Sequence, residues 1–169
     1  HESNVESDRL TAHATYLYRS EKYPEALDHF AQLLALHDAR GWKYPENRAG
    51  LRSNIGSCLH FMGQPDLAQK WYESGREYFV AHTNDKTRMP RFNDVVFGDP
   101  NKARVKYIDE RLVLLANDEL PDTSKYLDAM GVEKKWEGEV EEPKAPYGRQ
   151  QYDEFGDPNY EPEPIDWDK

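Results

Sequence analysis

Residues 51–79 read LRSNIGSCLHFMGQPDLAQKWYESGREYF, two apolar stripes on either side of a break. Leu51, Ile55, Leu59 and Met62 recur at intervals of three and four, the spacing that stacks side chains on one face of a helix. Gly63-Gln64 interrupts the pattern and Pro65 reopens it, because a proline in the first helical turn sacrifices no hydrogen bond. Ala68, Tyr72, Gly75 and Phe79 then mark one face of a returning helix. The stretch is predicted to be helix, turn, helix.

Upstream the plan repeats. Leu10, Ala14 and Leu17 lie at i, i+4 and i+7, a turn is expected at Ser20-Glu21-Lys22-Tyr23, and Pro24 leads into Ala26, Phe30 and Leu33. Small residues, Ala14 with Ala26 and Gly56 with Ala68, stand where two closely spaced helices would cross. With these residues in register, the two units resemble the tetratricopeptide repeat (TPR) family. The matching positions are Ala14, Leu17, Tyr23, Ala26, Phe30 and Leu33 in one copy. In the other they are Gly56, Leu59, Gly63, Ala68, Tyr72 and Gly75, with Asn54 and Ile55. The resemblance covers about residues 6–80. It departs from the family in repeat length: Ala26 and Ala68 are 42 residues apart, against about 34 ordinarily, so the linker His37 to Asn47 is expected to be long. The alternative is an antiparallel four-helix arrangement of the same periodicity.

After a loop expected from Ala81 to Gly98, Asp99-Pro100 supplies an N-cap and first-turn proline. Val105, Ile108, Leu112 and Leu115 then form a stripe, and Lys102, Arg104, Lys106, Asp109, Glu110 and Arg111 are assigned to the wet remainder of a capping helix. A short helix is expected from Thr123 to Met130, stopped by Gly131. The expected fold class is all-α: TPR-like hairpins forming an α-solenoid, a capping helix and an extended C-terminal tail. The divisions fall at 1–118 (helical domain), 119–131 (short helix or linker) and 132–169 (tail).

The tail carries twelve acidic and five basic residues, a net of −7 out of −10 for the whole chain, and five of the eleven prolines. Such composition cannot bury enough apolar surface to fold alone. Trp136, Tyr147, Tyr152, Phe155, Tyr160 and Trp167 nevertheless recur through it as candidate anchors, since aromatics concentrate at binding hot spots. The tail is therefore expected to strap a partner, with packing onto its own repeats as the alternative. Phe97-Gly98-Asp99-Pro100-Asn101 recurs as Phe155-Gly156-Asp157-Pro158-Asn159, which is shared turn chemistry.

A net charge of −10 argues against nucleic acid as a partner. No run reaches the ~18 to 20 apolar residues of a membrane-spanning helix. The single cysteine, Cys58, sits in an apolar pattern and is expected to be a buried packing residue. His1, His13, His29, His37, His60 and His82 show no metal-ligand spacing, and Glu139, Glu141 and Glu142 fall in the tail, where nothing fixes a geometry for acid/base work. There is no nucleophile elbow and no phosphate loop. The expectation is a non-catalytic protein with no cofactor and no metal.

The family resemblance implies an inner groove lined by the first helices, here Thr11, Thr15, Tyr18 and Arg19, then Ser53, Asn54, Ser57, His60 and Phe61. Thr11 and Thr15 stand where the family's chaperone-binding members carry a basic and amide clamp, so the resemblance does not extend to that clamp. Asn54 is implied to hydrogen-bond a peptide backbone. The expected function is a protein-protein interaction scaffold, an accessory or assembly subunit peripheral to a larger complex of other protein subunits. An organelle membrane complex in a chloroplast or mitochondrion, reached after loss of a leader before His1, suits it. The alternative is a free cytoplasmic peptide-binding adaptor whose tail covers its own groove.

Overall fold

The computed structural model of the chain describes residues 2–39, 45–83, 98–128 and 131–135, with side chains from residue 10 onward except 38 and 39. Five helices follow one another: α1 (Glu2–Arg19), α2 (Tyr23–Ala39), α3 (Pro45–Phe61), α4 (Pro65–Ala81) and α5 (Pro100–Ala116). A small antiparallel hairpin, β1 (Lys125–Leu127) and β2 (Glu133–Lys135), closes the described chain, with Tyr126 opposite Lys134. The protein is mostly helical, and no described helix is long and apolar enough to cross a membrane.

The helix ends explain the chain path. α1 stops where Lys22 N donates to the Leu17 carbonyl (2.9 Å) and Glu21 N to that of Tyr18 (3.1 Å), with Glu21 left-handed at φ 61°. α3 ends the same way on Gly63 (φ 74°), through Gln64 N to Leu59 and Gly63 N to His60. α5 does so on Asp118 (φ 57°), through Glu119 N to Leu114 and Asp118 N to Leu115. These paired bonds satisfy carbonyls that a helix end would otherwise leave open, and they reverse the chain sharply. Prolines then follow at Pro24, Pro65 and Pro121. After the first two a helix folds back, so that α2 packs on α1 and α3, and α4 on α3 and α5.

One core runs through all five helices. Leu10, Ala14, Leu17, Ala26, Phe30 and Leu33 from the first unit join Leu51, Ile55, Leu59, Ala68, Tyr72 and Phe79 from the second, and Cys58 is buried among them. Each fully buried large side chain contributes about 1.5 to 3 kcal/mol by transfer. Met62 lies beyond the end of α3 and is exposed. Close helix approach is set by glycines: a Cβ on Gly75 would come 2.8 Å from the Ala49 carbonyl oxygen, and one on Gly56 2.9 Å from the Tyr72 ring.

Three expectations are corrected. The linker from His37 to Asn47 is largely helical at both ends, because α2 runs on to Ala39 with His37 buried and α3 starts at Pro45. Arg104 and Arg111 are buried rather than wet. They share the face of Ile108 and Leu115 at helical spacing, and aromatic rings offset part of their desolvation: Arg104 lies 5.3 Å from the Phe79 centroid and Arg111 4.7 Å from that of Tyr107. The third is the helix expected over Thr123 to Met130. After Pro121, Asp122 turns the chain by accepting from Ser124 N (2.8 Å), and β1 follows. Asp-Thr-Ser compete for backbone hydrogen bonds where the earlier hairpins have good helix formers.

Candidate functional site

α1 and α3 bring together most of the side chains assigned to the groove, and the chain itself covers them. Residues 119–128, leaving α5 at the Asp118 turn, cross back over both helices. Four carbonyls along the way accept hydrogen bonds from helix side chains or sit against them. Glu119 O is 2.8 Å from His60 Nε2, Thr123 O accepts from Arg19 Nη1, Lys125 O from Arg111 Nη2 (3.4 Å) and Leu127 O from Asn54 Nδ2 (2.9 Å). Leu127 is the apolar anchor, 1% exposed and part of the main core. The far end is seated by a close backbone approach: a Cβ on Gly50 would stand 2.9 Å from Gly131 Cα, and Gly131 (φ 75°) lies against Phe79.

The remaining groove positions divide by environment. Thr15 is buried and returns its hydroxyl to the Thr11 carbonyl (2.7 Å), while Thr11 itself is half-buried. Ser53 faces α4 rather than the groove: its hydroxyl caps the Ala49 carbonyl (3.2 Å) beside Gly75. Phe61 stacks on Tyr23 at 4.2 Å and meets Tyr18 edge-on, closing the turn end of the first hairpin. His13 and His29 pack against each other at 4.5 Å. The tail anchors Trp136, Tyr147, Tyr152, Phe155, Tyr160 and Trp167 lie outside the described residues.

Beneath the covering segment is a polar cluster that sequence reading assigned only in part. Arg111, 4% exposed, donates to Ser57 Oγ (3.1 Å). Ser57 Oγ lies 3.3 Å from Tyr72 Oη, which is 3.2 Å from His60 Nδ1. A neutral His60 that donates from Nε2 to the Glu119 carbonyl leaves Nδ1 as the acceptor nitrogen facing Tyr72 Oη. Burial lowers the His60 pKa, the Glu119 bond partly offsets this, and Arg111 lowers it further. Burial also raises the Tyr72 and Tyr107 phenols against the opposing pull of Arg111.

This arrangement grips an extended backbone; its titrating groups are otherwise engaged. His60 Nε2 is committed to the Glu119 carbonyl with Nδ1 facing Tyr72 Oη, and burial pushes the Cys58 thiol up, away from the reactive thiolate. Among the described residues no group of three or more His, Cys, Asp or Glu side chains could hold a metal ion. The residues missed in sequence were Tyr107, Arg111 and Leu127. The signal for Arg111 was its place three residues after Ile108, on that residue's own face. No family model, curated protein or solved structure matches the chain.

Proposed function

We infer that the chain is a non-catalytic protein-protein interaction scaffold built on two TPR-like hairpins, an accessory or assembly subunit of a larger complex such as one at an organelle membrane. The observation that supports this best is the sealed groove. Four backbone carbonyls and a core leucine hold residues 119–128 against side chains that the resemblance assigns to a peptide groove. A partner then meets the outer helix faces and the acidic aromatic tail, whose composition suits laying Trp and Tyr side chains one by one into a neighbour.

The test is native recovery of the full chain from its source under gentle detergent, beside a chain ending at Lys135, which retains β2. A large assembly recovered with the full chain alone supports a tail-strapped subunit. Recovery of both chains alone, without partners, overturns it. A second reading is favoured by the character of the seal: since the helix side chains address carbonyls rather than side chains, an extended partner segment could replace residues 119–128. The chain would then be an adaptor closed by its own ligand, running as a monomer until that segment arrives.

A further inference from the structure

α1, α3 and α5 end on the same turn and are followed by Pro24, Pro65 and Pro121, yet only the first two are succeeded by a helix. α2 lies on α1 and α3, and α4 on α3 and α5, whereas α5 has among the described helices only α4 as a major neighbour, with a minor contact to α3. Among the described residues an open groove of about 680 Å3 runs between α4 and α5. Val80, Ala81 and Leu112 give it an apolar lining, and Arg76 spans it to Asp109 at 2.6 Å. Val80 is 46% exposed, and Val113, at 60%, continues the apolar strip along α5. Glu73 and Glu77 stand exposed along the α4 rim, and Lys102 and Lys106 are exposed on α5.

We propose that this groove docks an amphipathic helix of a partner protein, with its aliphatic stripe on Val80, Leu112 and Val113 and a Lys/Arg flank against Glu73 and Glu77. The inference rests on the scaffold reading and names the partner's chemistry. A helix fits because each helix of the fold already packs side by side on its chain neighbour, and helix surfaces interlock ridge into groove. The charge of the rims fixes the flanks: three carboxylates and one guanidinium line the groove, so the side facing α4 calls for bases. The lysines of α5 accept acids on the opposite flank. Burying the Glu73 and Glu77 carboxylates against a flank that brings no cation would be costly, which disfavours a purely apolar or acidic helix.

The probe is a fluorescein-labelled amphipathic helix with a leucine stripe, lysines along one flank and glutamates along the other, titrated with the full chain by anisotropy. A second peptide of identical composition has its leucines scrambled. Saturable binding of the first, at least tenfold tighter than the second, is expected. Val80→Asp, and Glu73→Lys with Glu77→Lys, are each expected to weaken it at least tenfold. All three positions are exposed, and an unchanged circular-dichroism melt verifies the fold. Absence of saturable binding, equal binding of both peptides, or undiminished binding by Val80→Asp overturns the proposal. So does a dimer of the full chain by light scattering that dissociates on Val80→Asp, because a second copy then fills the groove. Native recovery separates the two readings. No assembly with the unaltered chain rejects the scaffold, while the titration alone judges the groove.

Discussion

Replacing Leu127 with alanine should loosen the covering segment more than it loosens the helices. Leu127 is 1% exposed, sits in the main core and carries the carbonyl held by Asn54. Core Leu→Ala changes cost about 2 to 5 kcal/mol, the transfer loss plus a cavity term. The helices can escape part of this, because residues 119–128 follow the last helix and can open without unfolding α1 to α4. A local loss of about 2 to 4 kcal/mol corresponds to roughly 30-fold to 1,000-fold more frequent opening, at about 1.4 kcal/mol per decade. Hydrogen exchange read by mass spectrometry should show that acceleration at the amides of β1, with much smaller changes in α1 and α2. Urea unfolding should report a smaller loss than the full core penalty. Exchange in β1 unchanged from the unaltered chain would refute the assignment of Leu127 as the anchor.

Asn54→Ala leaves the Leu127 carbonyl without its side-chain donor and should cost about 1 to 3 kcal/mol; combined with Leu127→Ala the losses should fall short of additive in a double-mutant cycle. His60 is held neutral by burial, with a folded pKa below the ordinary 6.5. The unfolded chain therefore takes up the proton first, and the stability present above pH 6.5 is lost as pH falls from there toward the folded value, by at most about 1.4 kcal/mol per pH unit. The urea midpoint should drop more between pH 7.5 and 5.5 in the unaltered chain than in His60→Gln, and equal drops would remove His60 as the cause. Gly75→Ala, although alanine is the better helix former by about 1 kcal/mol, should destabilise by roughly 1 to 3 kcal/mol through overpacking against Ala49 and Ser53. A higher melting temperature for Gly75→Ala would show that the helices can part there.

The helices were legible because their signals are local. The stripe from Leu51 to Leu59, the break at Gly63 and the first-turn prolines Pro24, Pro65 and Pro100 each depend on a few neighbouring residues. The groove positions Asn54 and His60 were singled out for the face they occupy, and they do face a common element. What covers them could not be read. The bonds that hold residues 119–128 end on backbone carbonyls, which every residue possesses, so no side-chain pattern announces them. Arg111 was misread for a related reason. A charged side chain in an apolar register looks like a solvent-facing residue until aromatic rings and a hydroxyl from other helices are placed around it. Asp122 to Ser124 show the opposite failure, where turn chemistry outweighed the apparent continuity of a helix up to Gly131.

The long sequence separation across the covered groove also orders events during synthesis. α1 to α3 are complete once Phe61 has been added, but Leu127 arrives 66 residues later, about 3 to 13 s at roughly 5 to 20 residues per second. For that interval the nascent chain presents Asn54 and the Nε2 of His60 without the Leu127 and Glu119 carbonyls that meet them in the finished fold, the stage at which a foreign extended segment meets no rival from that part of the chain.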